Sequence, residues 1–167
     1  AKSVTIIIIK WNKMNEKDLL EEITKLEVKI DADKLLCRAL EDNDWETLVS
    51  WWEAWPDWPV PPRDFLPDNG KGGLMIGKNG QPIVAGFLYT TNSKAALLEW
   101  IVSNPKYRED DRNQAIELLI EGAESVCKKQ GIKYIFSIGR TQQLINTHKK
   151  LGYTVDEKPS HEIIKTL

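Results

Sequence analysis

Two apolar runs around Lys78-Asn79-Gly80-Gln81, in GLMIGKNGQPIVAGFLYTT (residues 73–91), constrain the fold of this chain more than any other stretch. Asn-Gly between apolar runs is the strongest short-range hairpin signal, because both central residues of the tight turn need positive φ. AALLEWIVS (95–103) follows after a short polar break, and it predicts a third strand, apolar on both faces and therefore central. A three-strand meander in mid-chain excludes an all-helical fold.

The flanking segments alternate between helix and strand. LLCRAL (35–40) reads as a short strand, and Asp42, Asn43 or Asp44 can cap the helix WETLVSWWEAW before Pro56 stops it. PDWPVPPRDFLPDNGKGG holds five prolines and three glycines and must be a loop. From Asp111 to Gln130, residues Ala115, Leu118, Leu119, Gly122, Ala123 and Val126 share one helical face, and Gly131 closes the helix. IKYIFSIG predicts a strand, TQQLINTHKKLG a helix stopped by Gly152, and YTVDEKPSHEIIKTL a pair of short strands around Glu157-Lys158-Pro159-Ser160. Ahead of all this, VTIIIIKW (4–11) reads as a buried strand. NEKDLLEEITKLEVKI then places Leu19, Leu20, Ile23, Leu26 and Ile30 at helical spacing behind Asn15. Residues 1–34 are thus expected to form a strand-helix extension, and 35–167 an α/β (α+β) domain whose mixed, mostly antiparallel sheet carries helices on its faces.

Composition narrows the function classes. With 167 residues, 41% hydrophobic and 29% charged, the chain has the make-up of one ordinary globular domain. A net charge of −2 gives no electrostatic reason to expect nucleic acid or an anionic membrane as partner, and the late lysines read as a solvated face. Cys37 and Cys127 lie far apart without ligand spacing, so neither a disulfide framework nor a metal site is signalled, and a reducing cytoplasm fits. VTIIIIKW is too short for a membrane span.

The element order, WIVSNPKYRE leading into a helix, and THKKLGY together resemble the GNAT superfamily of N-acetyltransferases over residues 35–167. The first motif is similar to that family's fourth strand running into its pyrophosphate loop, the second to its Tyr-x-x-Leu-Gly-Phe ending. The resemblance implies that the fourth and fifth strands splay and that acetyl-CoA lies between them. Its pantetheine would pair with the strand edge at Trp100, Ile101 and Val102. The pyrophosphate would rest on the next helix N-terminus among Arg108, Arg112, Asn113 and Gln114. The family pattern of Arg or Gln, two residues, Gly, one residue, Gly or Ala is not kept: Asp111 and Asn113 occupy the glycine positions. Glu109, Asp110 and Asp111 would oppose an anion, since two unit charges about 4 Å apart interact by roughly 4 kcal/mol at an effective dielectric near 20. A scaffold that has given up the cofactor and serves as an interaction module is therefore the alternative to an enzyme.

The same resemblance assigns roles to titratable groups. The family's acidic tyrosine falls on His148, which can donate a proton near neutral pH; as a plain residue it packs or faces solvent. Glu99, the one carboxylate in AALLEWIVS, is the candidate base, or else it pairs with a lysine at a sheet end. Trp45, Trp51, Trp52, Trp55 and Trp58 crowd one helix and its exit on more than one face. Trp52, Trp55 and Trp58, with Tyr89, can line the groove of a small-molecule or protein amine. The alternatives are a homodimer or partner surface, and burial beneath the prolines.

Overall fold

The structure, a computed structural model, describes residues 34–56 and 58–166; the expected strand and helix of the extension lie outside them. Five strands form one sheet in the order β1 (Leu36–Ala39), β2 (Gly73–Lys78), β3 (Gln81–Thr90), β4 (Ala95–Ser103), β5 (Tyr134–Phe136). The first three pairings are antiparallel and β4·β5 is parallel. The sheet is mixed and mostly antiparallel, as the meander required. The hairpin turns at Asn79 and Gly80, with φ of 53° and 74°, the two positive values that Asn-Gly supplies at least cost.

Helices cover both faces. Alternation along β2 sends Leu74 and Ile76 to one side and Met75 to the other. On the first side lies α2 (Arg112–Lys129), burying Ala115, Leu118, Leu119, Gly122, Ala123 and Val126, the face its periodicity marks out. On the second lies α1 (Trp45–Ala54), burying Leu48, Trp51 and Trp52 against Met75, Ala85 and Phe87. A 3₁₀ turn at Asp42–Asp44 leads into α1. There the Asp44 carboxylate takes both Arg38 guanidinium nitrogens at 2.7 Å and the Glu41 N–H at 2.8 Å, tying the start of the helix to β1. Trp55 is already extended (φ −89°, ψ 126°), as a residue before proline prefers. The last helix, α3 (Gln142–Lys150), starts where the Thr141 hydroxyl accepts the Leu144 N–H and stops at Gly152, φ 90°.

Three expectations are corrected. The two strands expected within 153–167 do not form: residues 153–166 carry no strand, and the Pro159 ring removes one amide that a ladder would need. The expected strand over 132–139 contracts to Tyr134–Phe136. As a result β4 is interior but not central, flanked by long β3 on one side and by a three-residue β5 on the other.

β4 itself is irregular. Phe87 pairs with Glu99 and Ala85 with Val102, so Trp100 and Ile101 together face Gly86. Trp100 sits at φ 55°, an uncommon conformation for a bulky residue, and this bulge flips the side-chain parity. Leu98 points into the α2 cluster, whereas Trp100 and Val102 pack in the α1 cluster. Glu99, opposite Phe87, is on that same α1 face. The bulge therefore gathers Glu99, Trp100 and Val102 on one side. A Cβ at position 86 would lie 3.1 Å from Leu119 Cδ2 and 3.2 Å from Ile101 Cγ1, so the bulged strand packs down onto a residue without a side chain. Gly86→Val, which in an unobstructed strand would stabilise, is expected to lower stability by about 1–3 kcal/mol in urea unfolding followed by far-UV circular dichroism.

Candidate active site

The parallel pairing of β4 with β5 covers only Ala95–Leu97 against Tyr134–Phe136. Beyond it β4 runs on to Ser103 with no strand on its β5 side among the described residues, and a cavity of about 270 Å³ opens in the wedge. Its walls are β4 from Leu98 to Ser103, the segment after β5 (Ser137, Ile138, Arg140, Thr141), the head of α2 (Arg112, Ile116), Gln143 and Leu144 of α3, and Trp55 and Trp58.

Glu99 is 8% exposed and forms part of this wall. Its Oε1 accepts the Ile138 N–H at 2.8 Å, a side-chain bridge across the gap where a ladder hydrogen bond would otherwise run. Burial pushes its carboxyl from an ordinary 4.5 up to about 7; the Ile138 amide pulls the other way, Glu162 adds to the rise and Arg140 opposes it. The alternative of a lysine partner does not hold, since its bonded partner is this amide.

At the other end of the cavity the loop after β4 is held by Asn104, whose N–H and side-chain amide bond Ile83 O and Pro82 O. The acidic run that follows is split by the fold. Glu109 and Asp110 are exposed and lie outside the cavity lining. Asp111 instead turns to Lys78 Nζ (2.8 Å) and the Tyr107 hydroxyl (2.6 Å) and does not cap α2 with its side chain. Burial raises its pKa, but those two partners outweigh burial and hold it below the usual carboxylate range. The Arg112 guanidinium bonds the Ser103 hydroxyl at 2.6 Å and lies 5.5 Å over the Trp55 ring. It has no carboxylate partner among the described residues. Burial, then the like charge of Arg108, holds its pKa below the usual arginine value, yet a guanidinium stays charged at neutral pH. A half-buried cation without a counter-charge is an electrostatic demand for an anion.

The residues singled out in the sequence divide accordingly. Glu99, Trp100, Ile101, Val102, Arg112, Trp55 and Trp58 meet in the cavity wall. Arg108 lies near it, 6.0 Å over the Trp55 ring. Asn113 and Gln114 are exposed on the first turn of α2, Asn113 taking the Gln143 side-chain amide. Trp52 is fully buried beneath Trp45, Phe87 and Trp100, and Tyr89 donates to Phe65 O at 3.3 Å; neither lines the cavity. His148 is 4% exposed and also outside the lining, its Nδ1–H donating to Leu144 O at 2.8 Å and its ring meeting Tyr153 edge to face. Arg140 and Ser137 went unmarked as site residues. Both follow the end of β5, which stops at Phe136, short of where the sequence pattern carried it. The Ser137 hydroxyl is buried in the cavity wall without a partner.

A comparison with protein-family models finds no match, and neither does one with curated sequences. Solved structures do match in fold. A GCN5-related N-acetyltransferase from Ralstonia eutropha JMP134 superposes with a TM-score of 0.55 at 20% identity, covering 77% of this chain and 98% of that one. AAC(6')-Iy, in complex with the bisubstrate analogue CoA-S-monomethyl-acetylneamine, gives 0.56 at 16%, covering 80% and 100%. Diaminobutyrate acetyltransferase EctA from Paenibacillus lautus, in complex with L-2,4-diaminobutyric acid and coenzyme A, gives 0.55 at 13%, covering 72% and 75%. The chain has the GNAT fold. No helix among the described residues is long and apolar enough to cross a membrane, and none of their His, Cys, Asp and Glu side chains group as a metal site would require.

The raised Glu99 pKa makes folding depend on pH. Its folded value exceeds the unfolded one, so the native state holds the extra proton between them and stability falls as pH rises from about 4.5 to about 7. Urea unfolding across that window should give a shallower decline for Glu99→Gln than for the parent chain.

Proposed function

We propose that this protein is an acetyl-CoA-dependent N-acetyltransferase acting on an amine. The observation that carries the reading is the open edge of β4 between Leu98 and Ser103, beside a cavity with Glu99 in its wall and an uncompensated Arg112 at the head of α2. These residues fit acetyl-CoA. An extended pantetheine finds unpaired strand backbone at Trp100, Ile101 and Val102, as a peptide does at a sheet edge. A diphosphate finds Arg112, Arg108 on the same indole and the N-terminus of an eighteen-residue helix whose cap position donates no side chain. Acetyl-CoA supplies the acyl thioester, whose transfer forms a C–N bond, breaks the C–S bond and frees a thiol.

The protein's part is proton handling and placement. An amine acceptor enters as an ammonium and must lose a proton before its lone pair is available. Glu99 takes it, directly or through water: a carboxyl with a pKa of about 7 is substantially ionised at neutral pH yet basic enough to hold the proton. The Ile138 amide fixes which oxygen is left to do this. Ser137, with its unpartnered hydroxyl in the same wall, is the donor available to the carbonyl or the departing sulfur. His148, proposed from the motif as the acid, does not line the cavity and serves as a packing residue of α3 against Tyr153.

Isothermal titration with acetyl-CoA tests the reading, with saturable one-to-one binding expected and about tenfold weaker binding by Arg112→Ala. Absence of heat for the parent chain would leave only the scaffold. With binding in hand, Glu99→Gln should lower turnover by about 10²–10⁴ while sparing cofactor affinity. It should also abolish the rise of kcat/KM through pH 7 that the parent shows as Glu99 loses its proton.

A further inference from the structure

One wall of the cavity holds a second cation. Arg140 extends from the segment after β5, its guanidinium 5.5 Å from the Trp58 ring and 5.9 Å from the Trp100 ring, and Trp58 meets Trp100 edge to face. Two indoles thus orient a planar fork, which is the arrangement that recognises a carboxylate with least loss of side-chain freedom. A carboxylate is there: Glu162 Oε1 accepts from Arg140 at 2.5 Å.

What holds Glu162 in place is little else. From Pro159 to Thr166 this is the one hydrogen bond the described residues make, and Ile163 and Ile164 beside it are 93% and 65% exposed. The terminal segment reaches the site through a single carboxylate. Arg140 and Glu99 line the same cavity, so a carboxylate seated on Arg140 lies at the mouth of the space that the proposed base faces. Arg112, the other arginine in the wall, is committed to Ser103 and Trp55 at the far end of the bulged strand and faces the proposed diphosphate.

We infer that the acceptor is a small amino acid, whose carboxylate displaces Glu162 from the Arg140 fork and whose ammonium is thereby held against Glu99. Glu162 is an internal stand-in for the acceptor's carboxylate and lowers its apparent affinity by competition. The inference rests on the acetyltransferase reading for the chemistry but not for the binding: Arg140, the two indoles and Glu99 recognise an amino-carboxylate whether or not acyl transfer follows. An amine without a carboxylate is the opposite case, since it has nothing to exchange for Glu162 on the guanidinium and leaves that ion pair in place.

The test is binding to the full chain, followed through tryptophan indole N–H signals by NMR. The probes are the L-amino acids, each paired with its decarboxylated amine, such as L-lysine with cadaverine and L-ornithine with putrescine. At least one amino acid should bind saturably, with its decarboxylated partner weaker by about tenfold or more. Glu162→Gln should tighten that amino acid several-fold by removing the competitor. Arg140→Gln should erase the difference between the paired probes. Binding of no amino acid, equal or tighter binding of the amines, or no gain from Glu162→Gln would each overturn the inference. Acetyl-CoA titration run in parallel separates the two readings: loss of cofactor binding with the amino-acid preference intact would remove the proposed reaction and leave this site standing.

Discussion

The site depends on the parting of two parallel strands. β4 and β5 share three residue pairs, after which β4 continues and β5 does not. A sheet that stayed zipped would satisfy its backbone internally and leave no room beside Glu99. The bulge at Trp100 contributes by turning two successive side chains, a carboxylate and an indole, to the same face, which a regular strand cannot do. The cost is a tryptophan in the left-handed region and a glycine beneath it, and such local strain is found where surrounding packing enforces it. Here Trp52, Trp58 and Phe65 surround the Trp100 ring.

Much of the fold was legible in the sequence, because each signal had a single local cause. Asn79-Gly80 set the hairpin, the six-residue apolar stripe from Ala115 to Val126 set the face of α2, and Gly131 and Gly152 set two helix ends. The end of the chain was not legible. YTVDEKPSHEIIKTL alternates well enough for a strand, but alternation states only which faces a strand would have, and whether it forms depends on finding an edge to pair with. The wall of the candidate cavity was legible in part. Glu99, Trp100 to Val102 and Arg112 were marked by their place on β4 and at the helix start. Arg140 and Ser137 were hidden because they follow β5, whose length is decided by tertiary pairing. His148 shows how a motif position can be kept while its side chain is not: its Nδ1–H is spent on its own helix at Leu144 O, and its ring packs on Tyr153 and does not line the cavity.

The acidic loop was read from sequence as an obstacle to anions, and three carboxylates in a row justified that reading. The fold distributes them instead. Asp111 is drawn back to Lys78 on the hairpin and to Tyr107, while Glu109 and Asp110 face solvent, where water and salt screen them. What faces the cavity from this end is Arg112. The sign of a local sequence thus differs from the sign of the surface it builds, and a long-range ion pair between residues 33 apart accounts for the Asp111 share of that difference.

Cys37 and Cys127 are the chain's two thiols, and both are buried, one beneath Gly122 and the other on the inner face of α2. Burial pushes each up to about 11, so the nucleophilic thiolate is scarce at neutral pH and shielded when it forms. Neither sulfur is therefore placed to exchange with a disulfide arriving from solvent. Thiol reagents should then pass the folded chain by and mark it only where it opens, so that labelling of either cysteine reports unfolding.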